Sequence, residues 1–74
     1  MSSEVLEAAF QKSVDFARQG SLQLAIEGFL DILRSDKNYR KGLLKQVVLS
    51  LLEIIGPEND ETRMYRSELA SILH

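Results

Sequence analysis

Apolar residues recur along the chain at intervals of three and four, and sparse breakers divide them into four segments. From about residue 4 to 18, Val5, Leu6, Ala9, Phe10, Ser13, Val14, Phe16 and Ala17 fill one half of a helical wheel. Glu4, Glu7, Gln11, Lys12, Asp15 and Arg18 fill the other. In the second segment Leu22, Ala25, Ile26, Phe29, Leu30, Ile32 and Leu33 form a stripe opposed by Gln23, Glu27, Asp31 and Arg34, with Leu24 outside it. The third, about Tyr39 to Ile55, is broader: its apolar residues cover half the wheel, and Leu49 projects from the polar side. The fourth, about Asp60 to Leu73, carries a narrow face of Tyr65, Leu69, Ile72 and Leu73. Gly20-Ser21, Ser35-Asp36-Lys37-Asn38 and Gly56-Pro57-Glu58-Asn59-Asp60 are the breaks, with Ser21 and Asn59 or Asp60 as N-cap candidates. No stretch alternates with period two. The pattern predicts an all-α fold: four short antiparallel helices in two helix-turn-helix pairs, about 4–35 and 39–73, forming one domain over 1–74.

Composition narrows the function classes. The 74 residues hold no Cys, and the single His is the last residue. No disulfide, thiolate chemistry or multi-His metal site is therefore available, and no cofactor is expected. A net charge of -2 argues against a dedicated nucleic-acid binder. The most apolar stretch, Leu43 to Ile55, is interrupted by Lys45, Gln46, Ser50 and Glu53, so no membrane association is expected. The N-terminus lacks the basic start and apolar core of a signal peptide, and a cytoplasmic setting fits best. Catalysis has no support, because the carboxylates that cluster, Glu58, Asp60 and Glu61, sit at a helix start where they serve capping and the dipole.

Within the first pair, Gly20-Ser21-Leu22-Gln23-Leu24-Ala25-Ile26-Glu27-Gly28-Phe29 is similar to the turn and second helix of a tetratricopeptide repeat. Ser13 and Ala25 fall at the small positions that let two helix backbones approach, and Phe16 and Phe29 at the aromatic ones. Ala9, Lys12 and Lys37 depart from that pattern, and a shift of one repeat onto Val47, Ser50 and Asn59 matches poorly. The second pair has a signature of its own: Asp36-Lys37-Asn38-Tyr39, Gly42 to Gln46, Leu49 to Gly56-Pro57-Glu58, Tyr65-Arg66 and Leu69-Ala70. In this order and spacing the chain, from about Phe16 to Leu73, resembles the C-terminal tetratricopeptide-like domain of bacterial thioredoxin-like co-chaperones (the YbbN or CnoX type, also called chaperedoxins). Arg40-Lys41, Gln46 and Ser67 depart from the family pattern, which bears on charged partner contacts more than on the fold. The resemblance implies a domain excised from a larger protein with an N-terminal thioredoxin-like domain. It also implies a non-catalytic interaction module that binds unfolded client or a chaperonin or other chaperone.

Three groups of residues are candidates for that contact. Phe10 and Val14 edge the first helix's apolar face; they either meet a client or pack against a missing neighbour or the third helix. Arg40, Lys41 and Lys45, with Arg34 and Lys37, make a basic cluster opposed only by Asp36, suited to steering an acidic surface. Arg40 and Lys41 are expected early in the third helix, where its dipole disfavours cations. Arg63 and Arg66, with His74, lie on the polar side of the last helix, where the resemblance implies a chaperonin-docking surface. The third helix's wide face is expected to make it the central helix. The competing functional reading is a structural spacer or dimerisation module, with a weak homodimer as its product.

Overall fold

A computed structural model describes residues 2–74, and four α-helices account for most of them: α1 Ser3–Arg18, α2 Leu22–Ser35, α3 Leu43–Ile55 and α4 Asp60–Leu73. Their ends follow the breaker residues. Ser2 caps α1 by accepting from the Val5 amide, and Asn59 caps α4 by accepting from the Glu61 amide at 2.8 Å. Ser21 precedes α2 but makes no side-chain cap. Gly56 ends α3 at φ 112°, a conformation that L side chains rarely adopt, and Pro57 then prevents continuation.

Successive helices run antiparallel, so that Ile55 at the end of α3 borders Gly20–Leu24 at the start of α2. The central helix is α2, not α3. It packs against α1, α3 and α4, and Ala25, Ile26, Phe29, Leu30, Ile32 and Leu33 are fully buried. From α3 only Leu44, Val48 and Leu52 reach full burial, joined by Tyr65 and Leu69 of α4. Val47, Leu51 and Ile55 widen this face and pack half-buried against the core. Leu49, on the nominally polar side, is half-buried against it, while Leu43 and Ile54 remain exposed.

The tightest approach joins α1 to α2. Ser13 is buried, and its hydroxyl donates to the Ala9 carbonyl at 2.9 Å. Opposite stands Gly28: a Cβ there would lie 2.1 Å from Ser13 Oγ and 3.2 Å from Ser13 Cβ. Ser13 is thus a small contact position as its place in the repeat pattern requires, but the residue that makes room for it is Gly28. The Cα atoms fill 36 × 30 × 15 Å, a slab with little depth. Close backbone contact is how so thin a body builds a packed seam.

Candidate functional site

Between α2 and α3 the chain does not begin the third helix at Tyr39. Residues Tyr39–Gly42 form a separate turn, and α3 starts at Leu43. Arg40 (φ 54°, ψ 40°), Lys41 (φ 58°, ψ 35°) and Gly42 (φ 84°, ψ -1°) are consecutive left-handed residues. Gly42 tolerates this freely, whereas an L-residue carries about 1–2 kcal/mol of strain there. The expectation that Arg40 and Lys41 lie inside a helix, against its dipole, is therefore corrected: both precede it.

Side-chain contacts hold the turn in place. Tyr39 is buried, and its hydroxyl donates to Glu7 Oε2 at 2.5 Å. Arg40 donates to the other oxygen of the same carboxylate, Glu7 Oε1. The Arg40 guanidinium also stacks on Phe10, 4.3 Å from the ring centroid, and Phe10 in turn lies 5.8 Å from the rings of both Phe29 and Tyr39. Burial pushes the Tyr39 hydroxyl's pKa up, the Glu7 hydrogen bond and charge add to this, and Arg40 opposes it. Glu7 is the residue that sequence reasoning missed. On a wheel it is one polar position among six, and nothing local reveals that the turn returns to it.

This geometry separates the sequence candidates. Phe10 and Val14 are both half-buried against the core. Phe10 meets α2 and the turn rather than α3, and Arg40 covers part of its outer face. Lys41 and Lys45 line an open hollow of about 740 Å³ with Arg40, Lys37 and Gln46, edged by Leu43 and, from the end of α4, Leu73. Arg40 is paired with Glu7, but Lys37, Lys41 and Lys45 make no ion pair among the described residues. Three lysines thus converge without a counter-charge. Arg63 and Arg66 do not line this hollow; Arg63 pairs along its own helix with Asp60 at 3.8 Å, and both side chains are exposed.

A different character marks the α2–α4 seam. Arg34 donates to Asp31 at 2.5 Å and to Glu68 at 3.3 Å, and the Tyr65 hydroxyl donates to Glu27 at 3.1 Å. Burial raises the Tyr65 pKa, and the Glu27 hydrogen bond with the charges of Glu27, Glu61 and Glu68 lifts it to about 12. This seam joins helices. Among the described residues no group of three or more His, Cys, Asp or Glu is placed to hold a metal ion, and no helix is long and apolar enough to cross a membrane.

The family model described as tetratricopeptide repeat matches residues 3–74, all four helices. The chain belongs to the tetratricopeptide repeat family. Repeats of this family generally mediate protein–protein interaction and are typically non-catalytic. The match runs through the second pair, whose residues fit the ordinary repeat positions poorly, so the tetratricopeptide repeat assignment covers both pairs. No curated protein and no solved structure matches the chain significantly.

Proposed function

We propose that this chain is a non-catalytic protein-binding module that docks an acidic protein segment in the hollow of Lys37, Lys41 and Lys45, beside Arg40. The reading rests on one observation: three unpaired lysines share a hollow with a strained turn that a bidentate pair to Glu7 keeps in shape. Strain of this kind persists only where surrounding contacts over-determine it, and it concentrates at recognition sites. A partner carboxylate gains three cations there without displacing an internal ion pair. Leu43 and Leu73 at the rim add an apolar contact for a neighbouring side chain.

The setting we propose is that of the resembled co-chaperones: a domain belonging to a larger thioredoxin-like protein, offering this surface to an unfolded client or a chaperone. Phe10 and Val14 then support the turn and the α1–α2 seam, and Arg63 and Arg66 form a second, outlying cationic surface. Anisotropy with a fluorescein-labelled Asp/Glu-rich peptide tests the docking site. Saturable binding should weaken as salt rises, because exposed charges are screened over roughly 10 Å at 0.1 M salt. It should disappear in the triple variant Lys37→Glu, Lys41→Glu, Lys45→Glu. Unchanged binding in that variant overturns the site. Light scattering of a denatured client with and without the chain tests the co-chaperone setting, and absence of protection removes it.

A further inference from the structure

We propose that Glu7 is a built-in competitor for the basic hollow: its carboxylate withholds Arg40, and an acidic segment docked on the three lysines displaces it and recruits Arg40 as a fourth cation. This rests on the hollow's reading as an acidic-segment site and adds to it an autoinhibitory contact. Arg40 belongs to both arrangements. It lines the hollow with Lys37, Lys41 and Lys45, and its guanidinium is paired with Glu7 Oε1. The three lysines make no ion pair among the described residues, so Glu7 supplies the one carboxylate this cluster holds there. Nor is the pair a helical neighbour contact of the kind that joins Arg18 to Asp15 or Arg63 to Asp60. It closes over 33 residues of chain, from α1 to the turn before α3.

The contact is built to be displaced. Both partners reach solvent, the Arg40 side chain being 39% exposed and that of Glu7 50%. An incoming carboxylate can therefore approach the guanidinium, and exposed ion pairs are weakly held. The backbone also works against the grip. Arg40 and Lys41 are both left-handed, and two such L-residues bias the chain against this turn by roughly 30- to 1,000-fold. Glu7 meanwhile has a second partner, because the buried Tyr39 donates its hydroxyl to Oε2 at 2.5 Å. Glu7 can thus release Arg40 and still anchor Tyr39, so the turn keeps one of its two bonds to α1 during the exchange. At Arg40 one carboxylate replaces another, a nearly even trade. The lysines tip it, since the incoming segment alone brings the counter-charge that they lack. Arg40 leaves its stack on Phe10 as it turns to the segment, which uncovers that ring.

Anisotropy with the fluorescein-labelled Asp/Glu-rich peptide separates competitor from mere support. Glu7→Gln keeps an acceptor for Tyr39 and removes the charge that withholds Arg40, so it should tighten peptide binding by about two- to fivefold. Glu4→Gln makes the same change in net charge one turn earlier on α1, at an exposed residue without an ion pair, and should leave affinity nearly unchanged. In an Arg40→Gln background the gain from Glu7→Gln should vanish. On the unsubstituted chain, the NMR signals of the Glu7 carboxylate carbon and the Arg40 guanidinium should both shift as peptide saturates the hollow. Peptide binding with no gain in Glu7→Gln, or with an equal gain in Glu4→Gln, overturns the competitor and leaves the hollow standing. A Glu7 carboxylate signal unmoved by saturating peptide overturns it too, whatever the variants do. Absence of saturable binding to the unsubstituted chain and to Glu7→Gln alike removes the hollow itself, and the competitor with it.

Discussion

Replacing Gly28 by Ala puts two general expectations in opposition. In an exposed helix interior the change stabilises by about 1 kcal/mol, because Gly is the poorer helix former. At Gly28 the new Cβ would sit 2.1 Å from Ser13 Oγ and 3.2 Å from Ser13 Cβ. Turning the Ser13 hydroxyl aside breaks its 2.9 Å bond to the Ala9 carbonyl, a loss of about 0.5–1.5 kcal/mol. The Cβ–Cβ contact still forces α1 and α2 apart along their shared seam, and overpacking of this kind costs about 1–3 kcal/mol. The balance is a net loss of about 1–3 kcal/mol. Thermal melting followed by circular dichroism should register it as a fall of roughly 4–8 °C per kcal/mol for a domain of this size. The control is the exchange variant Ser13→Gly with Gly28→Ala, which moves the small residue to the other helix. Each change alone is destabilising, so additivity predicts a double variant worse than either. The close approach predicts recovery of most of the loss. A higher melting temperature for Gly28→Ala, or a double variant no better than the single one, refutes the reasoning.

Two further outcomes follow from the turn and from the α2–α4 seam. Lys41→Gly relieves about 1–2 kcal/mol of left-handed strain against about 0.5–1 kcal/mol of added chain entropy. Chemical denaturation should show unchanged or modestly higher stability while acidic-peptide affinity falls; a clear loss of stability contradicts the strain. Tyr65 titrates near 12 when folded and near 10 when unfolded, so its contribution is complete below pH 10 and is lost as pH rises through about 12. Tyr65→Phe should cost about 0.5–1.5 kcal/mol at neutral pH through the lost bond to Glu27. The gap between the two proteins should narrow by pH ~11.5, and a constant gap excludes the raised pKa.

The four helices and the break between α3 and α4 were legible in the chain because they depend on local chemistry. Gly56-Pro57 stops a helix wherever it occurs, and Asn59 caps the next from its own position. Which helix becomes central was not legible. α3 has the broader apolar face, yet α2 is central, because sequence position places it between α1 on one side and the second pair on the other. Nor was the start of α3. The wheel from Tyr39 to Ile55 gives no sign of a break at Leu43, whereas in the structure residues 40–42 take left-handed backbone, with Tyr39 and Arg40 bonded to the distant Glu7 and Arg40 stacked on Phe10. The basic cluster was visible as composition; that Arg40 pairs internally while Lys37, Lys41 and Lys45 do not is a fact of tertiary structure.

The central place of α2 has a consequence for how this chain can change over time. Six of its fourteen residues are fully buried and together touch all three other helices. A substitution there is felt by every neighbour at once, and its tolerance depends on what the others have become. The outer faces of α1, α3 and α4 share no such hub, and substitutions on well-separated sites act nearly independently. The molecule therefore combines a slowly drifting spine with three surfaces free to diverge at their own pace, and new partners can be acquired on one without renegotiating the rest.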